Sequence, residues 1–354
     1  MFVLDTHCDT PSQILRLRDL SVDNHHAHVD FPKLRRGGVD GSFFALYVPS
    51  SLDTADAFAY ADTLLSDVSG TVHENPDKAR FATSAAEAYI NKEQGLFSVF
   101  LGLENGSAIG ESFDRLKYFY DNGIRYVTLC HSADNQICDS CASPVKRWGG
   151  LSPFGKELVS EMNRMGMLID VSHASDDTFY DVLEYSTAPV VATHSCCRAL
   201  ADHPRNMTDE MIRNLAALGG VIQINFYPLF LDTSFARTLA SSGLSESGEA
   251  VENAFIADPA DPAKRKAWYS VMDSLQALPR PSLERIADHI DHVVEIAGIN
   301  HVGIGSDFDG IAVTPEGLED VSMLPNLFDE LRRRGYTDSD LAKIASENFF
   351  RCLR

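Results

Sequence analysis

The sequence contains no apolar run approaching the ~18 residues of a membrane span, and its start has neither a basic n-region nor an apolar h-region. It enters strand-like sequence at once, so neither a secretion signal nor a membrane partner is expected. Its last residues, Asn348-Phe-Phe-Arg-Cys-Leu-Arg354, carry no lipid-anchor motif. Positive charge is scarce: 30 Lys and Arg face 51 Asp and Glu, for a formal net charge of −21. Such a chain repels polyanions, which argues against nucleic acid as a partner. Cysteine is sparse as well: seven in number, odd and without a repeating framework, it fits a reducing cytoplasm. Cys130, Cys138 and Cys141 lie close together, but one Cys-x-x-Cys without a second pair does not make a structural zinc knot, so these read as ordinary thiols. Also missing are a Gly-x-Ser-x-Gly elbow, a Walker loop and a His-Glu-x-x-His helix. Gly303-Ile-Gly305 lacks the third glycine of a dinucleotide fingerprint. His25, His26 and His28 sit in a polar stretch and read as a solvated loop.

What remains is ordinary for an enzyme, with 44% hydrophobic and 23% charged residues over 354 positions. Apolar, β-branched runs recur at 2–7, 41–48, 97–104, 125–131, 167–173, 189–194, 221–226 and 301–307. Helix-length amphipathic segments separate them at 53–69, 112–122, 153–165, 175–185, 208–217 and 282–297. Strands alternating with helices imply parallel pairing through right-handed crossovers. Runs such as Pro189-Val-Val-Ala192 are apolar throughout, as strands covered on both faces must be. Eight such units predict a (β/α)8 barrel of the TIM type, formed by residues 1–354 as a single domain. One stretch, 228–281, is too long for a simple connection. It is read as an insertion after the seventh strand that caps the barrel mouth or, equally, forms a homodimer contact.

Residues that can hold a cation gather at one end of these runs. His7 and Asp9 close the first; alternation along a strand turns both to the same face, where they can share one divalent ion. Glu104 closes the third run, His131 the fourth, His173 the fifth, His194 the sixth and Asp307 the eighth. Any one alone would be an ordinary loop histidine or a turn aspartate. Six run ends carrying such residues together point to the catalytic face of a barrel. Neutral imidazoles with carboxylates suit zinc better than magnesium or calcium. The supply exceeds one tetrahedral site, so two Zn2+ ions sharing Glu104 are expected: His7, Asp9 and Glu104 on one, His173, His194 and Glu104 on the other. A hydroxide held between two such ions is a nucleophile at neutral pH. Asp307 is then free to move the proton of the attacking water to the leaving group.

The ordered motifs resemble those of the membrane (renal) dipeptidase family, zinc peptidases of the amidohydrolase superfamily. The likeness runs from Asp5-Thr-His-Cys-Asp-Thr-Pro11 through Val29-Asp-Phe-Pro-Lys-Leu-Arg-Arg-Gly-Gly38, Gly102-Leu-Glu-Asn-Gly106 and Arg125-Tyr-Val-Thr-Leu-Cys-His131. It continues through Gly150-Leu-Ser-Pro-Phe-Gly155, Leu168-Ile-Asp-Val-Ser-His173, Ala192-Thr-His-Ser195, Arg205-Asn206, Asn225-Phe-Tyr227 and Gly303-Ile-Gly-Ser-Asp-Phe-Asp-Gly310. The resemblance implies a (β/α)8 barrel with two zinc ions on the residues just named, and Glu104 as the bridging carboxylate. It places His131 where the scissile carbonyl is polarised, Arg205 where the substrate carboxylate is held, Asp307 at the proton-transfer position and Tyr227 beside the substrate. The activity implied is hydrolysis of small dipeptides, L-Xaa-L-Xaa and L-Xaa-D-Xaa. Lactam opening, deacylation of N-acyl amino acids, or a zinc-binding relative without catalysis are the rival readings. The stretch 132–143, rich in Cys and Asp, departs from the family pattern.

Overall fold

The computed structural model describes residues 1–353, the side chains of 245 and 246 apart. Nine parallel strands form its sheet: β1 (Leu4–Cys8), β2 (Gly41–Tyr47), β3 (Ala79–Phe81), β4 (Phe97–Glu104), β5 (Ile124–Thr128), β6 (Leu168–Asp170), β7 (Val191–Ser195), β8 (Val221–Ile224) and β9 (Val302–Ile304). Hydrogen-bonded neighbours run β1-β2-β4-β5-β6-β7-β8-β9, while β3 pairs only with β4. The ring is nearly closed where Asp9 N donates to Phe308 O at 2.8 Å and Asp307 N to His7 O at 3.0 Å. Eight parallel strands thus make a barrel of the TIM type, as the alternation of runs and helical segments predicts.

Two departures are informative. The ninth strand, Ala79–Phe81, has three residues and one ladder partner, too short to leave a periodic signature. Runs read as reaching His131, His173 and Asp307 end three residues earlier, at Thr128, Asp170 and Ile304. His173 and Asp307 have φ of 69° and 64°, a left-handed backbone that cannot continue a strand. Each of these ligand-type residues therefore lies on the loop just past its strand.

Helices cover the barrel and start where their caps dictate. Asp53, Ser112, Ser152, Ser175 and Thr208 each accept a backbone N–H from the first turn that follows, satisfying donors that would otherwise lack a partner. Among the described residues no helix is long and apolar enough to cross a membrane. The stretch after β8 folds into four helices, Pro228–Leu231, Thr233–Ser242, Leu244–Ala257 and Pro262–Gln276. It touches the loops that follow β1 and β9. Arg16 Nη1 lies 3.8 Å from Glu252 Oε1, His26 stacks on Tyr269 with ring centroids 4.2 Å apart, and Gln276 Nε2 donates to Thr314 Oγ1 at 2.8 Å.

Candidate metal centre

Side chains from β1, β4, β7 and the loops after β5, β6 and β9 meet at the C-terminal end of the strands. Glu104 is the hub. Its Oε2 lies 3.4 Å from His7 Nε2, and its Oε1 lies 3.2 Å from His173 Nε2, 3.5 Å from His194 Nε2 and 4.0 Å from His131 Nε2. His7 Nε2 is also 3.6 Å from Asp9 Oδ2. Three overlapping triads have donor atoms within 4.8 Å of one another: His7, Glu104 and His194; Glu104, His131 and His173; His7, Asp9 and Asp307. All seven of these residues stand together.

The donor set fits divalent ions. His7 Nε2 is buried and has no hydrogen-bond partner, although two carboxylates stand beside it. Buried ring nitrogens are normally satisfied, so this atom is placed for a ligand other than protein. Its other nitrogen, Nδ1, is 2.9 Å from Tyr126 OH; likewise His194 Nδ1 is 2.9 Å from Thr193 Oγ1. Such outer contacts aim a histidine's free nitrogen at a metal. Burial, reinforced by the Arg205 charge, keeps His173 well below the usual imidazole range; burial and the neighbouring His7 do the same for His194. Partial burial and Arg205 take His131 down to about 3. These three imidazoles are neutral, the form that ligates. Burial works against a charged His7 too, but Glu104 and Asp9 override it and carry its pKa well above normal. With carboxylates so close, the site without its ions draws a proton into the place a cation would take.

Asp307 is held differently. Its Oδ2 accepts from Asn225 Nδ2 at 2.8 Å, and burial, then Asp9, raises its pKa to about 7. Three non-glycine residues here, His173, Asp307 and Asp309, share the left-handed backbone. Strain of this kind persists where function requires it. Gly310 is needed for the approach of the two aspartates: a Cβ there would sit 2.1 Å from Asp9 Oδ2 and 2.6 Å from Asp307 Oδ1.

Arg205 lies beside the cluster, 8% exposed. Its Nη2 donates to His194 O at 3.1 Å, while Nε and Nη1 are buried without partners. Phe230 packs under the guanidinium, 5.3 Å away. Tyr227 is outside the ligand cluster, half-buried at the start of the short helix Pro228–Leu231 and edge-on to Phe230 at 5.0 Å. Tyr47 at the end of β2 meets the His131 ring edge-on at 4.8 Å.

The loop reading of the three early histidines needs one correction. His28 is 7% exposed, and its Nδ1 accepts from Asp309 N at 2.9 Å, because the loop folds back under Asp309. His25 and His26 do stay outside, with His26 against the inserted helices. Sequence reasoning also passed over Tyr126, Asp170, Thr193 and Asn225 as supports of the site. A signal existed for Asp170: a charged residue inside an apolar, three-residue strand has to be answering something.

A family model described as membrane dipeptidase (peptidase family M19) matches residues 1–354. The dipeptidase aclJ of Aspergillus oryzae is 32% identical over 364 residues, covering 99% of this chain and 75% of that protein. A solved metallopeptidase structure, the dipeptidase AC of family M19, superposes with a TM-score of 0.81 at 27% identity, over 100% of this chain and 98% of that one. A Rhodobacter sphaeroides metallopeptidase, solved with a phosphinate mimic of the dipeptide L-Ala-D-Ala, gives 0.82 at 25% identity, over 100% and 98%.

Proposed function

The chain belongs to the membrane dipeptidase family, peptidase family M19, as a metallo-dipeptidase, and from that premise we propose that it cleaves small dipeptides, L,L and L,D alike, with two zinc ions. The whole chain, 1–354, is taken as one hydrolase domain in which 228–281 is the insertion. The observation that carries the reading is the convergence of His7, His173 and His194 on the two oxygens of Glu104, with Asp9 beside His7 and Arg205 alongside. His7, Asp9 and Glu104 would hold one ion, Glu104, His173 and His194 the other. When bound, the ions acidify water and polarise the carbonyl it attacks.

The remaining work falls to the chain's own side chains. Arg205 offers two unpartnered nitrogens in a buried place, where a charge-assisted bond to a free carboxylate is strong. A dipeptide has that carboxylate one residue from the scissile bond, so the arginine measures substrate length and positions the carbonyl. His131 is neutral and half-buried, and donates to the oxygen that becomes negative as the carbonyl is attacked. Asp307, steadied by Asn225, takes the proton of the attacking water and passes it to the departing amine. Tyr227 borders the substrate from the side of Phe230. Free thiols at Cys8, Cys130, Cys138, Cys141, Cys196 and Cys197 support a reducing cytoplasm as the place of action.

A panel of L,L and L,D dipeptides, with C-terminally amidated versions and N-acyl amino acids alongside, tests this on zinc-loaded protein. Free dipeptides should turn over and amidated ones poorly. Equal turnover of both would reject the carboxylate grip, and a preference for N-acyl amino acids would move the activity to deacylation. Metal analysis showing a single zinc per chain would reject the two-ion site.

A further inference from the structure

Asp170 is a fully buried carboxylate inside the barrel, on β6, and none of the metal triads among the described residues includes it. Four donors surround it. Oδ1 accepts the backbone N–H of Thr193 at 2.8 Å and of Ser172 at 3.0 Å. Oδ2 accepts the hydroxyls of Thr128 at 2.5 Å and Thr193 at 2.6 Å. Every acceptor position on the group is filled by a proton that comes from elsewhere.

A hydroxyl has one proton to give. Since Thr193 Oγ1 gives its proton to Asp170, what it presents to His194 Nδ1, 2.9 Å away, is a lone pair. His194 must therefore carry its proton on Nδ1, which leaves Nε2 bare, 2.9 Å from His173 Nε2 and 3.5 Å from Glu104 Oε1. We infer that Asp170, acting through Thr193, is a positioning residue that fixes the tautomer of His194 and so readies it as a metal ligand. This rests on the reading that His194 binds its ion through Nε2. The relay is also built to be polar in one direction only. Two backbone N–H groups fix which side of the residue must accept, so an asparagine at 170 has to keep its oxygen there and turn its NH2 to the two threonines. The Thr193 hydroxyl, now receiving a proton, would point its own at His194 Nδ1. The tautomer would reverse and put a proton on the nitrogen that should hold the metal.

The test uses metal-free protein labelled with 15N-histidine, with ring resonances of His194 assigned against His194→Gln, followed by zinc competition with a chromogenic chelator. Wild type and Thr193→Ser should show the proton on Nδ1. Asp170→Asn should show it on Nε2, with zinc affinity lower by about 10–100-fold. Thr193→Val keeps the shape but removes the relay; it should show a mixture of tautomers, and it serves if Asp170→Asn does not fold. A residue that only packs would change melting temperature and leave the tautomer alone. A folded Asp170→Asn or Thr193→Val with an Nδ1 proton as in wild type overturns the inference. If the tautomers shift as stated but wild-type protein binds no zinc at all, the metal reading fails and the relay stands.

Discussion

Glu104 is buried and Asp307 half-buried, both of them carboxylates near imidazoles, yet substitution should separate them. Glu104 faces four histidine nitrogens within 4.0 Å, so Glu104→Gln removes the charge around which the centre is built. Elemental analysis should find that variant short of metal and nearly inactive. Asp307 is held by Asn225 and stands in the triad with His7 and Asp9, which does not include Glu104. Asp307→Asn should keep most of its metal and lose kcat by ~10²–10⁴-fold, the usual worth of positioned proton transfer. Loss of one metal with activity falling in step would make Asp307 a ligand. At this scale the sequence was legible wherever chemistry-bearing residues closed an apolar run, because a strand end has a fixed place in a barrel. Tyr126, Thr193 and Asp170 were hidden for the opposite reason. They lie within runs, where hydroxyls and even a carboxylate pass as ordinary occupants until a neighbouring strand shows which partner each one serves.

Between strands the decisive feature is how close two backbones come. Gly102 on β4 is the register partner of Tyr126 on β5, and a Cβ at 102 would meet the tyrosine ring at 2.2 Å. The missing side chain makes the room from which Tyr126 reaches His7. Gly102→Ala should therefore lower stability by about 1–3 kcal/mol and weaken metal binding together, as thermal melts and chelator competition would show. Gly70, within the helix Thr54–Glu74, has nothing within 4 Å of such a Cβ. Gly70→Ala should raise stability by up to ~1 kcal/mol through helix propensity alone. If the two behave alike, the tight approach at 102 does not matter. Helix positions could be read from periodicity, and the structure starts them at caps such as Ser152 and Thr208. The extent of β6 and β9 could not, since the left-handed turns at His173 and Asp307 interrupt apolar sequence without altering its composition.

Across the molecule, acid should act through histidines that the fold keeps neutral. His289 shows why. Its Nδ1 accepts the N–H of Cys197 at 3.0 Å while Nε2 donates to Leu231 O at 3.0 Å, so a second proton would have to break the first bond. Burial takes its pKa down to about 4, and that of His28 also to about 4. The unfolded chain binds protons at these residues below about pH 6.5, while the folded chain does not. Their contribution is thus fully present above about 6.5 and is lost as pH falls toward 4. Each can steepen the loss by up to ~1.4 kcal/mol per pH unit. Asp5 and Asp307, raised to about 6 and about 7, work in the other direction. Their contribution is present at low pH and fades as pH rises through those values, so the total slope mixes both. A difference between variants separates them. His289→Gln can still accept from Cys197 and donate to Leu231, but it does not titrate. Denaturant unfolding of metal-free protein at pH 7.0, 5.5 and 4.5 should show the variant losing stability less steeply below 6.5, by about one proton, with parallel behaviour above. Parallel curves over the whole range would mean that His289 takes up a proton in the folded state and that its two hydrogen bonds do not hold it neutral.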